Sequence, residues 1–171
     1  GMAFPGECIN QFGTQTGSPV GGNTSIPFDN TIPQITEGAQ YMSTSGILMS
    51  RANLIHVEGQ GCFAIATSLQ GTACMAVFQD ATTNALSTAP IGQSSGAQPP
   101  GQYTISFWIG ANVAKNTSTT FQLRAGAPAS ATTVTLGMGL NARITATNSV
   151  SASAFYGSTY NSYLRVREFM V

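Results

Sequence analysis

Few side chains in this sequence can do chemistry. There is one histidine, His56, with six carboxylates and three cysteines in 171 residues. Hydrolysis needs a nucleophile beside a base, or two carboxylates held at a set separation. Strand alternation puts His56 on one face with Leu54, Glu58 and Gln60. No GxSxG turn is present to expose a serine, so His56 reads as a hydrogen-bonded sheet residue. Glycoside hydrolysis would draw two carboxylates, about 5 to 10 Å apart, from Glu7, Asp29, Glu37, Glu58, Asp80 and Glu168. Five have structural readings: Asp29 and Glu37 in an extended lead-in, Asp80 at a strand end, Glu58 beside His56, and Glu168 among Arg165 and Arg167. Glu7 lies in an N-terminal arm.

Metal chemistry is no better supplied. His56, Glu58, Cys62 and Cys74 follow no ordered zinc spacing, and no Asp-rich loop suits calcium. The expectation is no catalytic residue, no metal and no cofactor: not an enzyme. Cys8, Cys62 and Cys74 are an odd count without a CxxC pair. Free thiols behaving as small hydrophobes and a Cys62 to Cys74 bridge are both open.

Binding chemistry is richer. Trp108 falls on a hydroxyl-bearing strand face with Thr104 and Ser106, where an indole offers an apolar ring and one donor. It suits either sugar stacking or a subunit interface. Two loops, 82–101 and 142–161, are dense in Ser, Thr, Gln and Asn. Loops on a rigid scaffold carry function, and Tyr156, Tyr160 and Tyr163 cluster in or beside the second, as receptor or interface candidates. Arg124, Arg143, Arg165 and Arg167 lie in or near strands. A guanidinium there pairs with carboxylates or carbonyls across a subunit boundary, or stays solvated at a strand edge. Asp80 is a candidate partner.

The elements that must position these groups follow from composition. Only 12 residues are charged, 7% of the chain, where soluble domains carry about 25%. Net charge is zero with a single lysine, Lys115, so there is no basic patch for nucleic acid. No apolar run reaches the roughly 18 residues of a spanning helix, and no signal peptide is expected. Residues 1–30 are rich in Gly, Pro, Thr and Ser with scattered apolar residues, which reads as an extended arm laid along a partner. From residue 31 to 171, short segments rich in Thr, Val, Ile, Phe and Tyr alternate with Gly, Pro and Asn clusters. Strands are expected at 40–45, 53–60, 63–67, 73–79, 103–110, 119–124, 132–136 and 163–169. Tyr103, Ile105, Phe107, Ile109, Phe121 and Leu123 should face inward. The segment 73–78 is apolar on both faces and needs covering twice; a neighbouring subunit is the expected second cover. The fold class is all-β, an antiparallel jelly-roll-like β-sandwich preceded by an extended N-terminal arm.

IPFDNTIPQITEG at 26–38, followed by AQYMSTS, resembles the lead-in of tailed-bacteriophage virion proteins whose terminal β-sandwich closes a fibre or spike. AVFQDATTNAL at 76–86, FQLRAG at 121–126 and YLRVREF at 163–169 also resemble that family. The resemblance implies a jelly-roll, C1q/TNF-like domain, homotrimeric, at the end of a tail fibre, head fibre or spike. Host attachment through a surface glycan or protein receptor is the implied role, with other virion proteins meeting the arm. The protein would be made in the bacterial host cytoplasm and reside in the virion. A capsid decoration or cement protein, its arm on the major capsid protein, is the runner-up. A glycan-processing enzyme is third. The motif is physically intelligible by itself: Pro27 and Pro33 enforce extended backbone, and Asp29 with Asn30 can close a turn.

Overall fold

Period-two alternation writes most of this molecule. The structure, a computed structural model, describes residues 6–16, 20–50, 52–65, 71–93, 101–111, 116–128, 134–137, 140–144, 150–154 and 162–171. Its strands are β1 (Cys8–Thr16), β2 (Val20–Gly22), β3 (Ala39–Ile47), β4 (Leu54–Ile65), β5 (Gly71–Gln79), β6 (Ser87–Gln93), β7 (Gly101–Gly110), β8 (Ser118–Gly126), β9 (Val134–Gly137), β10 (Leu140–Ile144), β11 (Val150–Ala154) and β12 (Ser162–Phe169). No helix occurs among the described residues. One sheet runs β1-β12-β4-β7 and carries the short β9 and β2 beyond β12 on the same edge of β4. The other runs β3-β8-β5-β6. All pairings among the described residues are antiparallel, and from β3 to β9 the chain passes repeatedly between the sheets, with β5 and β6 as consecutive strands of the second, in the manner of a jelly roll. β10 and β11 form a separate hairpin.

The core lies between the sheets. Ile55, Val57, Ile105, Leu164 and Val166 from the first meet Met75, Val77, Phe121 and Leu123 from the second. The inward parity read from the sequence for β7 and β8 is observed: Ile105, Phe121 and Leu123 are buried, and Tyr103, Phe107 and Ile109 pack against them. The two strands expected at 53–60 and 63–67 are one long β4, Leu54–Ile65, and residues 66 and 67 lie outside the described residues. The loop expected at 82–101 contains β6, whose Pro90 disguises it. Pro lacks a donor and suits an edge strand, and β6 ends its sheet. The second expected loop, 142–161, contains β11 and the end of β10.

Two expectations need correcting. The arm expected over 1–30 is extended, but from Cys8 it is built into the domain: β1 pairs along β12 from Cys8↔Phe169 to Thr16↔Ser162. Phe12 explains the docking, since it points inward and its ring lies 6.4 Å from that of Phe121. The second cover of β5 is likewise intramolecular. Ile26, with Ile35 and Ala85, packs on Ala76, Phe78 and Cys74. The lead-in thus supplies the apolar surface for which a neighbouring subunit was expected, and that strand is no argument for an oligomer.

Backbone bonds fasten this lid. Ile26 N donates to Ala127 O at 3.0 Å, Ile35 N to Thr83 O at 2.8 Å, and Ala85 N to Pro33 O at 2.9 Å. Gly38 closes it with φ +66, a conformation glycine adopts freely. Arg124 then clamps the end, donating from Nε to Glu37 O at 2.9 Å and from Nη2 to Gly38 O at 2.8 Å. Its partners are carbonyls, as the sequence allowed, but they belong to its own chain. Asp29 accepts from Thr31 N at 2.7 Å and Thr31 Oγ1 at 2.6 Å, making the anticipated turn and holding its carboxyl below the usual range.

Among the described residues Asp80 pairs with no arginine. It sits past β5 with φ +51, accepting from Thr119 Oγ1 and Thr120 N, each at 2.8 Å. Asp80→Ala forfeits both bonds and keeps the left-handed backbone, so it should cost about 2 kcal/mol. Asp80→Gly loses the bonds but relieves the backbone, so it should cost about 1 kcal/mol. Chemical denaturation of the pair checks this ordering. Alanine equal to or better than glycine would contradict it.

Burial also sets an alkaline limit. It raises the Cys62 and Cys74 thiols and the Tyr41 phenol, and Tyr103 is raised by burial and by Cys62. Groups raised in the folded state ionise first in the unfolded chain, near pH 8.5 for Cys and 10 for Tyr. Their contribution is therefore complete at neutral pH and is lost as pH climbs through that window. The urea midpoint should fall by about 0.5 M or more between pH 7 and pH 10.5. An unchanged midpoint would contradict this account.

Candidate functional site

Directly opposed residues of an antiparallel pair share a face, so the register defines the outer surface of β1-β12-β4-β7 row by row. Phe169 and Leu54 stand in the first row. Gln11, Arg167, His56 and Trp108 form the second, and Gly13, Arg165, Glu58 and Ser106 the third. Gln15, Tyr163, Gln60 and Thr104 form the fourth. In a chain with so few charges, this face gathers two arginines, a glutamate, the sole histidine and the sole tryptophan.

The aromatic end is a stepped platform. Trp108 is 55% exposed, its ring centroid 4.7 Å from His56 and 4.9 Å from Phe169. Leu54 extends the apolar surface beside it, 43% exposed. His56 Nε2 lies 2.8 Å from Ser106 Oγ, so the ring is tethered to the neighbouring strand.

The polar end is a charge network. Glu58 Oε1 accepts from the Tyr163 hydroxyl, and Arg167 Nη2 stands 3.7 Å from Glu58 Oε2. Arg165 lies over the Tyr163 ring, 4.8 Å from its centroid. Burial and the Glu58 bond raise the Tyr163 phenol, and the two arginines partly oppose them. Along β1 and β12 an open depression of about 330 Å³ is lined by Gln11, Gly13, Thr14, Gln15, Tyr163, Leu164 and Arg165. Gly13 keeps the strands close there: a Cβ on it would stand 2.8 Å from Leu164 O.

The sequence candidates divide accordingly. Trp108 and Tyr163 stand on this one face; Tyr156 and Tyr160 lie outside the described residues, as does the side chain of Arg143. Glu58 engages Tyr163 and Arg167, not His56. Glu168 does not join the arginines, because strand parity turns it to the opposite side, where it is 1% exposed. The three cysteines are free, which removes the Cys62 to Cys74 bridge. Among the described residues no group of three or more His, Cys, Asp or Glu could hold a metal. Phe169 was missed, although parity within YLRVREF already puts it on one face with Tyr163, Arg165 and Arg167. The stacking of His56 on Trp108 needed the β4-β7 register.

Neither a protein-family model nor a curated protein matches the chain. Among solved structures it is similar to the CBM36-1 domain of a multidomain xylanase from the hindgut metagenome of Trinervitermes trinervoides. That likeness has 14% identity over 92% of this chain and 96% of that one, with a TM-score of 0.39. It is also similar to the VP2 subviral particle of infectious bursal disease virus, at 11% identity over 95% of this chain and 37% of that one, TM-score 0.33. A third is the enzymatically active domain of bacteriophage CBA120 tailspike protein 4, at 11% identity over 95% of this chain and 20% of that one, TM-score 0.26. The chain thus spans well under half of either viral chain. At these identities the likenesses carry no weight for function, which rests on the residues above.

Proposed function

We propose that this chain is a non-enzymatic attachment domain of a virion, closing a fibre or spike, and that it binds a surface glycan through the outer face of β1-β12-β4-β7. The observation that carries the binding role is the exposed Trp108 platform beside rows of hydroxyls, amides and guanidinium groups. Sugars present an apolar C–H face and a ring of hydroxyls, and such a surface offers a partner for each. A strand scaffold holds these groups in fixed register, so little ordering is lost on binding. The virion role is supported by the resemblance of the 26–38 lead-in and its companion motifs. The carboxylates favour binding over hydrolysis: Asp29, Asp80 and Glu168 are engaged by backbone amides and hydroxyl or amide side chains, and Glu58 by Tyr163 and Arg167.

Electrophoresis through gels cast with neutral and acidic polysaccharides tests the binding. Retardation by at least one is expected; identical mobility in all would remove the glycan role. Sugar release that disappears in Glu58→Gln or His56→Ala would instead establish the enzyme. Label on virion micrographs at a fibre tip supports the attachment role, and label over the head lattice the decoration protein. Residues 8–16 count against the latter, being occupied by β12.

A second reading of the same face is favoured by Leu54, which is exposed in its first row beside the Trp108 platform. In a homotrimer this end of the face is covered by another copy. Sedimentation decides it: a monomer removes the trimer, and a trimer dispersed by Trp108→Ala assigns the platform to assembly.

A further inference from the structure

We propose that the depression between β1 and β12 takes the carboxylate of an acidic sugar, with Arg165 as its anchor; this rests on the glycan reading above and names the class of glycan. Arg165 stands directly opposite Glu58 in the register, yet Glu58 is engaged by Tyr163 and Arg167. The contact that Arg165 does make, over the Tyr163 ring, uses the charge of the guanidinium and not its N–H donors. That fork of donors matches a carboxylate in bidentate geometry, which a hydroxyl does not.

Room exists beside it. Gly13 stands opposite Arg165 on the other strand and contributes no side chain, and the open volume of about 330 Å³ is at the lower end for small-ligand sites. Gln11 and Gln15 flank Gly13 on the same face and offer amides to sugar hydroxyls, while the Tyr163 ring gives an apolar wall. Two arginines against the single carboxylate of Glu58 leave the face with excess positive charge, in a chain whose net charge is zero. A neutral glycan would gain nothing from that excess.

The test compares binding of oligogalacturonate and of polysialic acid, each against its own methyl ester, by titration calorimetry with the full chain. Esterification removes the charge and leaves the sugar. At least one free acid is expected to bind about tenfold tighter than its ester, with the preference shrinking as salt is added. Arg165→Gln should bring acid and ester to equal affinity with unchanged melting temperature, and Arg165→Lys should keep part of the preference. Equal binding of every acid and its ester by the wild type overturns the inference and leaves the glycan reading standing. A preference that survives in Arg165→Gln overturns the assignment to Arg165. Failure of acids, esters and neutral polysaccharides alike defeats the glycan reading itself.

Discussion

Glu168→Gln should lower the stability of this domain by about 3 kcal/mol and its melting temperature by about 6 to 12 °C, with the fold retained. The carboxylate is enclosed at the end of β12 and receives donors from two other parts of the chain, the β3-β4 connection and β1. Met49 N donates to its two oxygens at 2.9 and 2.8 Å, Ser50 N to Oε1 at 3.0 Å, and Asn53 Nδ2 to Oε1 at 2.7 Å. Asn10 Nδ2 approaches Oε2 at 3.3 Å and also donates to Ile47 O at 2.7 Å. One acidic side chain therefore ties β1, β12 and the β3-β4 connection together. Glutamine keeps the shape but replaces one acceptor by a donor, so a buried N–H group is left facing another N–H group. An unsatisfied buried donor costs about 1 to 3 kcal/mol, and several share this acceptor. Glu168→Ala strands them all and adds a cavity, so it should be worse. Thermal and urea unfolding measure the difference; a glutamine variant within 1 °C of wild type would show that the carboxylate is dispensable.

Glu168 also shows where sequence reading stops. Alternation within YLRVREF was legible and sends Leu164, Val166 and Glu168 to one side and Tyr163, Arg165 and Arg167 to the other. Proximity in sequence made the arginines attractive partners, and parity forbade them. What no local pattern contains is that the β3-β4 connection turns three N–H donors toward that point. The same distinction runs through the fold. Strands β3, β7, β8 and β12 were legible because apolar and polar residues alternate in them, and β5 because it is a short continuous apolar run. β1, β10 and β11 were not: β1 and β11 are written mostly in Gly, Gln, Thr, Ala and Ser, and β10, LNARI, is too short to show a period. The double-sided burial of β5 was legible, but its cover was not, because Ile26 and Ile35 lie far from it in the chain and inside a segment without strand periodicity. For the site, Trp108 was legible as an aromatic residue on a hydroxyl face. Its neighbours His56 and Phe169 required two inter-strand registers, which depend on the whole sheet.

Trp108→Ala should abolish most glycan binding and leave the fold almost untouched. The indole is more than half exposed, so its removal should change stability by less than about 1 kcal/mol. Its contribution to binding should be larger, about 2 kcal/mol, or roughly thirtyfold in affinity, as for aromatic residues at the centre of a recognition surface. The two effects separate because His56 and Phe169 flank the ring while little of the core depends on it. Trp108→Phe keeps a ring and loses the N–H donor and part of the stacking area, so it should retain intermediate affinity. Trp108 is the sole tryptophan, which gives the experiment an internal reporter. Emission of the wild type should be that of a wet indole, and it should shift or quench on titration with a polysaccharide that retards the protein in gels. Full affinity in Trp108→Ala, or emission that ignores a bound glycan, would move the binding surface away from this face. A blue, quencher-resistant emission without ligand would mean that another copy of the chain already covers the ring.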